Sequence, residues 1–274
     1  MATAFGRQPI DERDPVRVTN PAGGSRYVIV CEHASNWLPA SLGTLGLPPA
    51  DMQRHIAWDP GALPVASRLA EILDATLVES CVSRLAIDCN RPLDAPDLIA
   101  ETSETTRVPG NEGLGPAERE ARIALAYRPF HEALAHVVEN RVAQGRATWI
   151  VTVHSFTPVY RGVSRPWHIG IIHDQDERLS APLLAGLHGV PGITVGANQP
   201  YSPADRVYYT LERHARPRGL PCTMIEIRND EIVDAAAQDL WAQRLAKILS
   251  GIQEPDLNLG METASNAKGR QRSA

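Results

Sequence analysis

The sequence predicts a single α/β domain built on a mixed, mostly parallel sheet flanked by helices. Three observations point there. Apolar, β-prone runs such as 26–31 ("RYVIVC") and 148–156 ("TWIVTVHSF") lack polar alternation, as strands buried on both faces do. Between such runs lie stretches with helical spacing. The chain of 274 residues carries no internal repeat and no linker, which suits one domain of this class.

The elements follow in order. Residues 1–25 are assigned to an N-terminal extension, and the domain to 26–252. After the strand at 26–31, "PVASRLAEIL" (64–73) puts Val65, Leu69, Ile72 and Leu73 on one side of a helix. "ATLVES" (75–80) reads as a strand and "SRLAIDCNRP" (83–92) as another. Residues 92–116 are rich in Pro, Asp, Thr and Gly and read as a long loop, a feature that is usually functional or disordered. Residues 116–145 form one helical region. Pro116 suits its first turn and Gly145 its C-terminal cap, while Pro129 should kink or divide it. Then come strands at 148–156 and 168–174, a helix at 178–189, a strand at 223–230 and a last helix at 234–252. Residues 253–274 are polar, small and aperiodic, the composition of a disordered tail.

Charge and composition exclude several classes. Net charge is -5, and the basic residues are scattered among acids, so no nucleic-acid surface is expected. Cys31, Cys81, Cys89 and Cys222 form no C-x-x-C pair and read as buried thiols in a reducing compartment. The N-terminus has no apolar signal core, and no run approaches the ~20 residues of a membrane span. A cytoplasmic protein with no membrane partner is the expectation. Oligomeric state is not legible.

The chemistry-bearing residues cluster where apolar strands end, the usual place for sites in such folds. Glu32 and His33 follow the first strand, His154 and Ser155 lie near the end of another, and Glu226 sits between Ile225 and Ile227. Two histidines with carboxylates suggest a zinc site of three protein ligands and one open position. A nearby carboxylate would then be general base. Each histidine alone also suits a hydrogen-bonded strand end, and Glu226 could pair with Arg228, two residues on along the same face. Ser155 lacks a G-x-S-x-G elbow and makes a poor nucleophile. Cys31, ending a buried run, reads as an inert thiol.

The segments "CEHASNWLP", "HIAWDPGA", "SRLAIDCNRP", "PGNEGL", "VHSFTPVYRG", "RPWHIGII" and "TMIEIRND" occur in this order. Together, over roughly residues 26–250, they resemble the N-formylglutamate amidohydrolase family, which looks related to the zinc carboxypeptidase and aspartoacylase fold. The resemblance implies a metal-dependent hydrolase acting on an amide beside a free carboxylate. It implies His33 and His154 as metal ligands, with Asp59 of "AWDPGA" as the third and Glu32 as the alternative. Where carboxypeptidases have H-x-x-E, this chain has Asn36 at the Glu position. Asn90–Arg91 resembles the pair that holds a substrate carboxylate. Arg84 is a second arginine for that carboxylate or for the oxyanion, and a salt bridge to Asp88 is the structural alternative for both arginines. Glu226 resembles the general base, and Arg165 and His168 are assigned to the pocket wall. One divalent metal is implied, zinc first, with Fe, Co or Mn compatible. Thr152 stands where histidine-pathway deformylases have the acid of D-x-H-S, so the chain resembles a separate branch. N-formylglutamate leads the expected substrates, and other N-acyl amino acids are compatible. The competing classes are a short-peptide metallopeptidase and a metal-free binding domain.

Overall fold

Strands that are apolar throughout need cover on both faces, and the computed structural model provides it. It describes residues 14–253. The N-terminal 13 residues and nearly all of the predicted tail lie outside the described residues.

Seven strands make the main sheet: β1 (Val16–Thr19), β2 (Tyr27–Cys31), β3 (Thr76–Ser80), β6 (Trp149–Phe156), β9 (Ile169–Ile172), β10 (Val195–Ala197) and β11 (Cys222–Arg228). Two small hairpins, β4–β5 (Thr102–Ser103, Thr106–Arg107) and β7–β8 (Val159–Tyr160, Val163–Ser164), stand apart. The main sheet runs in the order β1-β3-β2-β6-β11-β9-β10. β3, β2, β6 and β11 are mutually parallel, while β1 and β9 join as antiparallel neighbours of β3 and β11. The architecture is thus the expected mixed, mostly parallel α/β domain.

Helices cover both faces. On one side α1 (Ala62–Leu73), α4 (Ser180–His188) and α6 (Ala235–Gly251) pack Val65, Leu69, Leu183, Trp241 and Leu245 against Ile29, Val151, Val153, Ile225 and Ile227. On the other, α3 (Arg128–Ala143) and α5 (Tyr209–His214) pack Phe130, Leu134, Val138 and Leu211 against Val28, Val30, Ile150 and Met224. Alternate residues of each strand therefore serve opposite cores. Each fully buried Val, Ile or Leu adds about 1.5–3 kcal/mol of burial energy.

Three expectations need correction. Val16–Thr19, assigned to the extension, is an edge strand whose valines pack inward while Arg17 pairs with Glu79. Residues 83–92 form turns, not a strand. Their apolar residues Ala86 and Ile87 bury against Leu98, Ala126 and Tyr127 in a separate cluster. The 92–116 segment is no open loop: it holds the β4–β5 hairpin and is pinned by Asn111, which donates to Leu85 O and Ala100 O, both at 2.9 Å.

The long helical region divides as Pro129 requires. α2 (Pro116–Arg122) passes through a π-helical turn, Ile123–Tyr127, into α3. Pro129 lacks the N–H for the regular ladder, and the wider turn before it absorbs the break. All four cysteines are buried thiols.

Candidate active site

Because β2, β6 and β11 are parallel, their carboxyl ends lie on one edge of the sheet. The pairing Val30↔Thr152, carried two residues further, sets Glu32 beside His154. On the other side Glu226 pairs directly with His154. Glu32, His154 and Glu226 thus form a row on one face, all three buried. Gly170 is the partner of Glu226 on β9. A side chain there would collide with the carbonyl of Gln199, which leads to Tyr201 in the site wall.

Asp59 reaches the row from the loop after β2. Its N–H donates to His33 O at 2.9 Å. Two residues later Gly61, at φ +80°, turns the chain into α1 where a Cβ would meet Ile232 O. The Asp59 carboxylate becomes the hub. Its Oδ2 lies 2.9 Å from His154 Nδ1 and 3.3 Å from His33 Nδ1, and it also accepts from Ser155 N–H at 3.3 Å. Its Oδ1 faces His55 Nε2 at 3.3 Å and Arg84 Nη1 at 3.4 Å.

The outer nitrogens of the two imidazoles also meet acids. His33 Nε2 is 2.7 Å from Asp88 Oδ1, and His154 Nε2 is 3.0 Å from Glu32 Oε2, close but out of hydrogen-bond alignment. Both Nδ1 atoms therefore point inward to Asp59, and both Nε2 atoms outward to a second carboxylate. Glu32, the alternative third ligand, stands behind His154 and away from that centre.

Asp88 organises the remaining side. It accepts from Asn90 N–H at 2.8 Å and from Arg84 Nη2 at 2.7 Å. The Asn90 amide donates to Val207 O and accepts from Thr210 N–H at 3.0 Å, so it ties two segments together. Arg91 pairs with Asp97 through Nε at 2.8 Å, not with Asp88, and donates through Nη1 to Asn90 O at 3.1 Å.

A cavity of about 280 Å³ brings together His33, Asp59, Arg84, Asn90, Arg91, His154 and Glu226. Arg165, expected in its wall, does not line it, and neither does His168. That imidazole accepts from Thr194 N–H at 2.8 Å and faces Glu231 at 3.7 Å. Arg228 pairs with Asp230 and Glu231, not with Glu226. Ser155 Oγ donates to Pro60 O at 2.8 Å, and Cys31 faces the apolar core on α1. His55 and Tyr201 are wall residues that sequence reasoning missed, while Asp88, expected as an arginine's partner, pairs with Arg84 and lines the wall too. His55 lay within the quoted "HIAWDPGA" segment, four residues before Asp59, which was its available signal.

Electrostatics separates these groups. Burial pushes the Glu226 carboxyl up to about 7, against the pull of His154, and its Oε2 has no hydrogen-bond partner. Burial also penalises Asp59 and Asp88, but His33 and the other positive groups around each outweigh it and hold both well below the usual carboxylate range. Burial acts against protonated His154, yet Glu32 and Asp59 together lift it well above an ordinary imidazole. Four buried carboxylates thus crowd one locus.

Whether a cation fits can be judged from these donors. Among the described residues, His33, Asp59 and His154 offer ligand atoms that all lie within 4.8 Å of one another. Two imidazoles and a carboxylate form a zinc-type set. Carboxylates on the outer nitrogens are the usual second layer around ligating histidines. The surplus of negative charge and the unpartnered Glu226 oxygen both suit a divalent ion with a water beside it.

The chain has relatives. A family model described as N-formylglutamate amidohydrolase matches residues 25–233. The crystal structure of a gene product from Agrobacterium tumefaciens is 46% identical, with a TM-score of 0.85, over 88% of this chain and 97% of that one. An N-formylglutamate amidohydrolase from Ralstonia eutropha JMP134 shares the fold at 19% identity and a TM-score of 0.63, over 93% of this chain and all of that one. No curated protein matches. With three quarters of its length matched by the family model, the chain belongs to the N-formylglutamate amidohydrolase family.

Proposed function

We propose that the protein is a metal-dependent amidohydrolase that cleaves the amide of an N-formyl, or other N-acyl, amino acid. N-formylglutamate is the leading substrate. The observation behind this reading is the convergence of His33 Nδ1, His154 Nδ1 and Asp59 Oδ2 beside the unpartnered carboxylate of Glu226.

His33, Asp59 and His154 would hold one divalent ion, zinc by donor chemistry, with Fe, Co or Mn compatible. Bound there, it lowers the pKa of a water and polarises a carbonyl oxygen. Glu226 accepts the water's proton as the water attacks the amide carbon, then passes that proton to the leaving nitrogen. A carboxyl raised to about 7 by burial suits both halves of that transfer. Arg84 is held by Asp59 and Asp88 and faces the cavity, where it offsets charge growing on the carbonyl oxygen.

Arg91 has Nε and Nη1 engaged and directs Nη2 at a substrate carboxylate. Asn90 plays a supporting part, since its amide is committed to Val207 and Thr210. The C–N bond breaks, and the products from a formyl substrate are formate and the free amino acid. The cavity volume favours a single acylated amino acid over a peptide.

The test pairs elemental analysis of purified protein with formate release from N-formylglutamate before and after chelation. About one metal per chain, with activity lost on chelation and restored by zinc, is expected. Protein that stays metal-free after reconstitution would overturn the reading.

A further inference from the structure

His55 is the histidine of the cavity wall that the proposed mechanism leaves without a task. It sits in the loop that carries Asp59, four residues ahead of it. Its Nε2 lies 2.5 Å from Ser155 O and 3.3 Å from Asp59 Oδ1. A peptide carbonyl only accepts, and so does an ionised carboxylate. Nε2 therefore carries a hydrogen, and this end of the ring is a donor.

Ser155 is the post on which the loop is docked. Its N–H donates to Asp59 Oδ2 at 3.3 Å, its Oγ donates to Pro60 O at 2.8 Å, and its carbonyl accepts from His55. The loop is thus tied, before and after the carboxylate, to the residue that follows His154 on β6. The last torsion of an Asp side chain is broad, so its setting must come from outside. Here the two oxygens are divided. Oδ2 faces the imidazoles of His33 and His154. Oδ1 faces His55 Nε2 and accepts from Arg84 Nη1 at 3.4 Å.

We propose that His55 is a positioning residue: its Nε2–H holds the Asp59 loop against Ser155 and occupies Asp59 Oδ1, so that Oδ2 alone is presented to a divalent ion. This rests on the metal-dependent reading above and deepens it by naming what aims the third ligand. An outer partner of this kind sets affinity and ligand orientation without touching the metal. The reach of the donor matters. A glutamine places its amide nitrogen about where the histidine Nε2 lies, whereas an asparagine places one near the Nδ1 position and falls short.

The test measures zinc affinity by competition with a chromophoric chelator, and the visible spectrum after cobalt substitution, in wild type, His55→Leu, His55→Asn and His55→Gln. His55→Leu and His55→Asn should bind zinc roughly 10–100-fold more weakly, and their cobalt bands should shift as Asp59 Oδ1 comes free. His55→Gln should return most of the affinity and the wild-type spectrum. Should His55→Leu fold poorly, the contrast between His55→Asn and His55→Gln decides, since both keep a polar side chain. A merely structural tie would lower the melting temperature of the metal-free variants and leave zinc affinity and cobalt bands of the folded protein at wild-type values. That outcome, or His55→Gln no better than His55→Asn, overturns the proposal while the metal reading stands. Wild type that takes up no zinc fails the metal reading and the proposal with it.

Discussion

The molecule buries two pairs of histidines, and they behave as opposites. His33 and His154 sit with ring centres 4.9 Å apart, and His131 and His214 with theirs 5.2 Å apart. Acids surround the first pair: Asp59, Asp88 and Glu32. Aromatic rings surround the second: Tyr127, Phe130 and Tyr209 stand around His131, whose Nδ1 meets His214 Nε2 at 2.9 Å. Burial opposes charge in both places, but only the first pair has carboxylates in direct contact, Glu32 acting on His214 too weakly to offset burial. His154 is lifted well above the ordinary imidazole value. Burial drives His131 well below it and His214 down to about 4, helped by Arg213. The same side chain is made cation-seeking in one region and neutral packing in the other. Neighbours, not residue type, decide which histidines can serve a metal.

The largest expected break is at the acidic pair. His154→Ala should remove most bound metal and lower formate release at least ~10³-fold while the fold persists, as read by elemental analysis and circular dichroism. Replacing the aromatic pair by leucines (H131L/H214L) should leave metal content at wild-type level. If both replacements lost metal alike, the contrast between the pairs would be wrong.

Glu226→Gln sharpens the comparison from the acid side. It should retain metal and lose on the order of 10²–10⁴ in kcat. In metal-free protein it should also stabilise the fold. A carboxyl raised from 4.5 to about 7 costs stability as pH rises through that interval, and the cost is complete above it. Relief of on the order of 2–3 kcal/mol is therefore expected at pH 8, fading to nothing near pH 4. Thermal melts of chelated protein at the two pH values check both size and sign.

The smallest effect concerns the aromatic pair alone. Depressed imidazoles contribute stability that is full above pH 6.5 and lost as pH falls toward about 4, because the unfolded chain takes up protons there first. H131L/H214L should change stability little at pH 7, since both hydrogen-bonding partners leave together. It should flatten the loss between pH 6.5 and 4. A wild-type-like acid slope in that variant would remove His131 and His214 from the account.

The acidic pair was legible in the sequence because β-strand chemistry announces itself. His154 and Glu226 interrupt apolar runs, His33 follows one, and parallel strands bring such positions to one edge. Asp59 needed the resemblance, since nothing in "AWDPGA" says that its loop folds back onto His33. The turns at 83–92 were misread because Leu85, Ala86 and Ile87 are apolar and contiguous, and what buries them is a cluster assembled from distant segments. β1 was missed although "VRVT" alternates cleanly. Tyr201 and the posture of Arg165 were beyond reach. Their meaning arises from rings contributed by 156–160 and 201, a purely tertiary encounter.

The π-helical turn at Ile123–Tyr127 has a consequence for how this chain can change length. One extra residue in a regular helix would advance the following face by about 100°, and the wider turn takes that residue up locally, so the turns on either side keep their phase. α3 thereby keeps Phe130, His131 and Leu134 on the buried side. Deleting one residue within the turn would close it into a regular helix and leave that face in place, whereas deleting one beyond it would rotate the rest of α3 away from the sheet. A one-residue gap between this chain and its relatives in this helical region should therefore fall within 123–127.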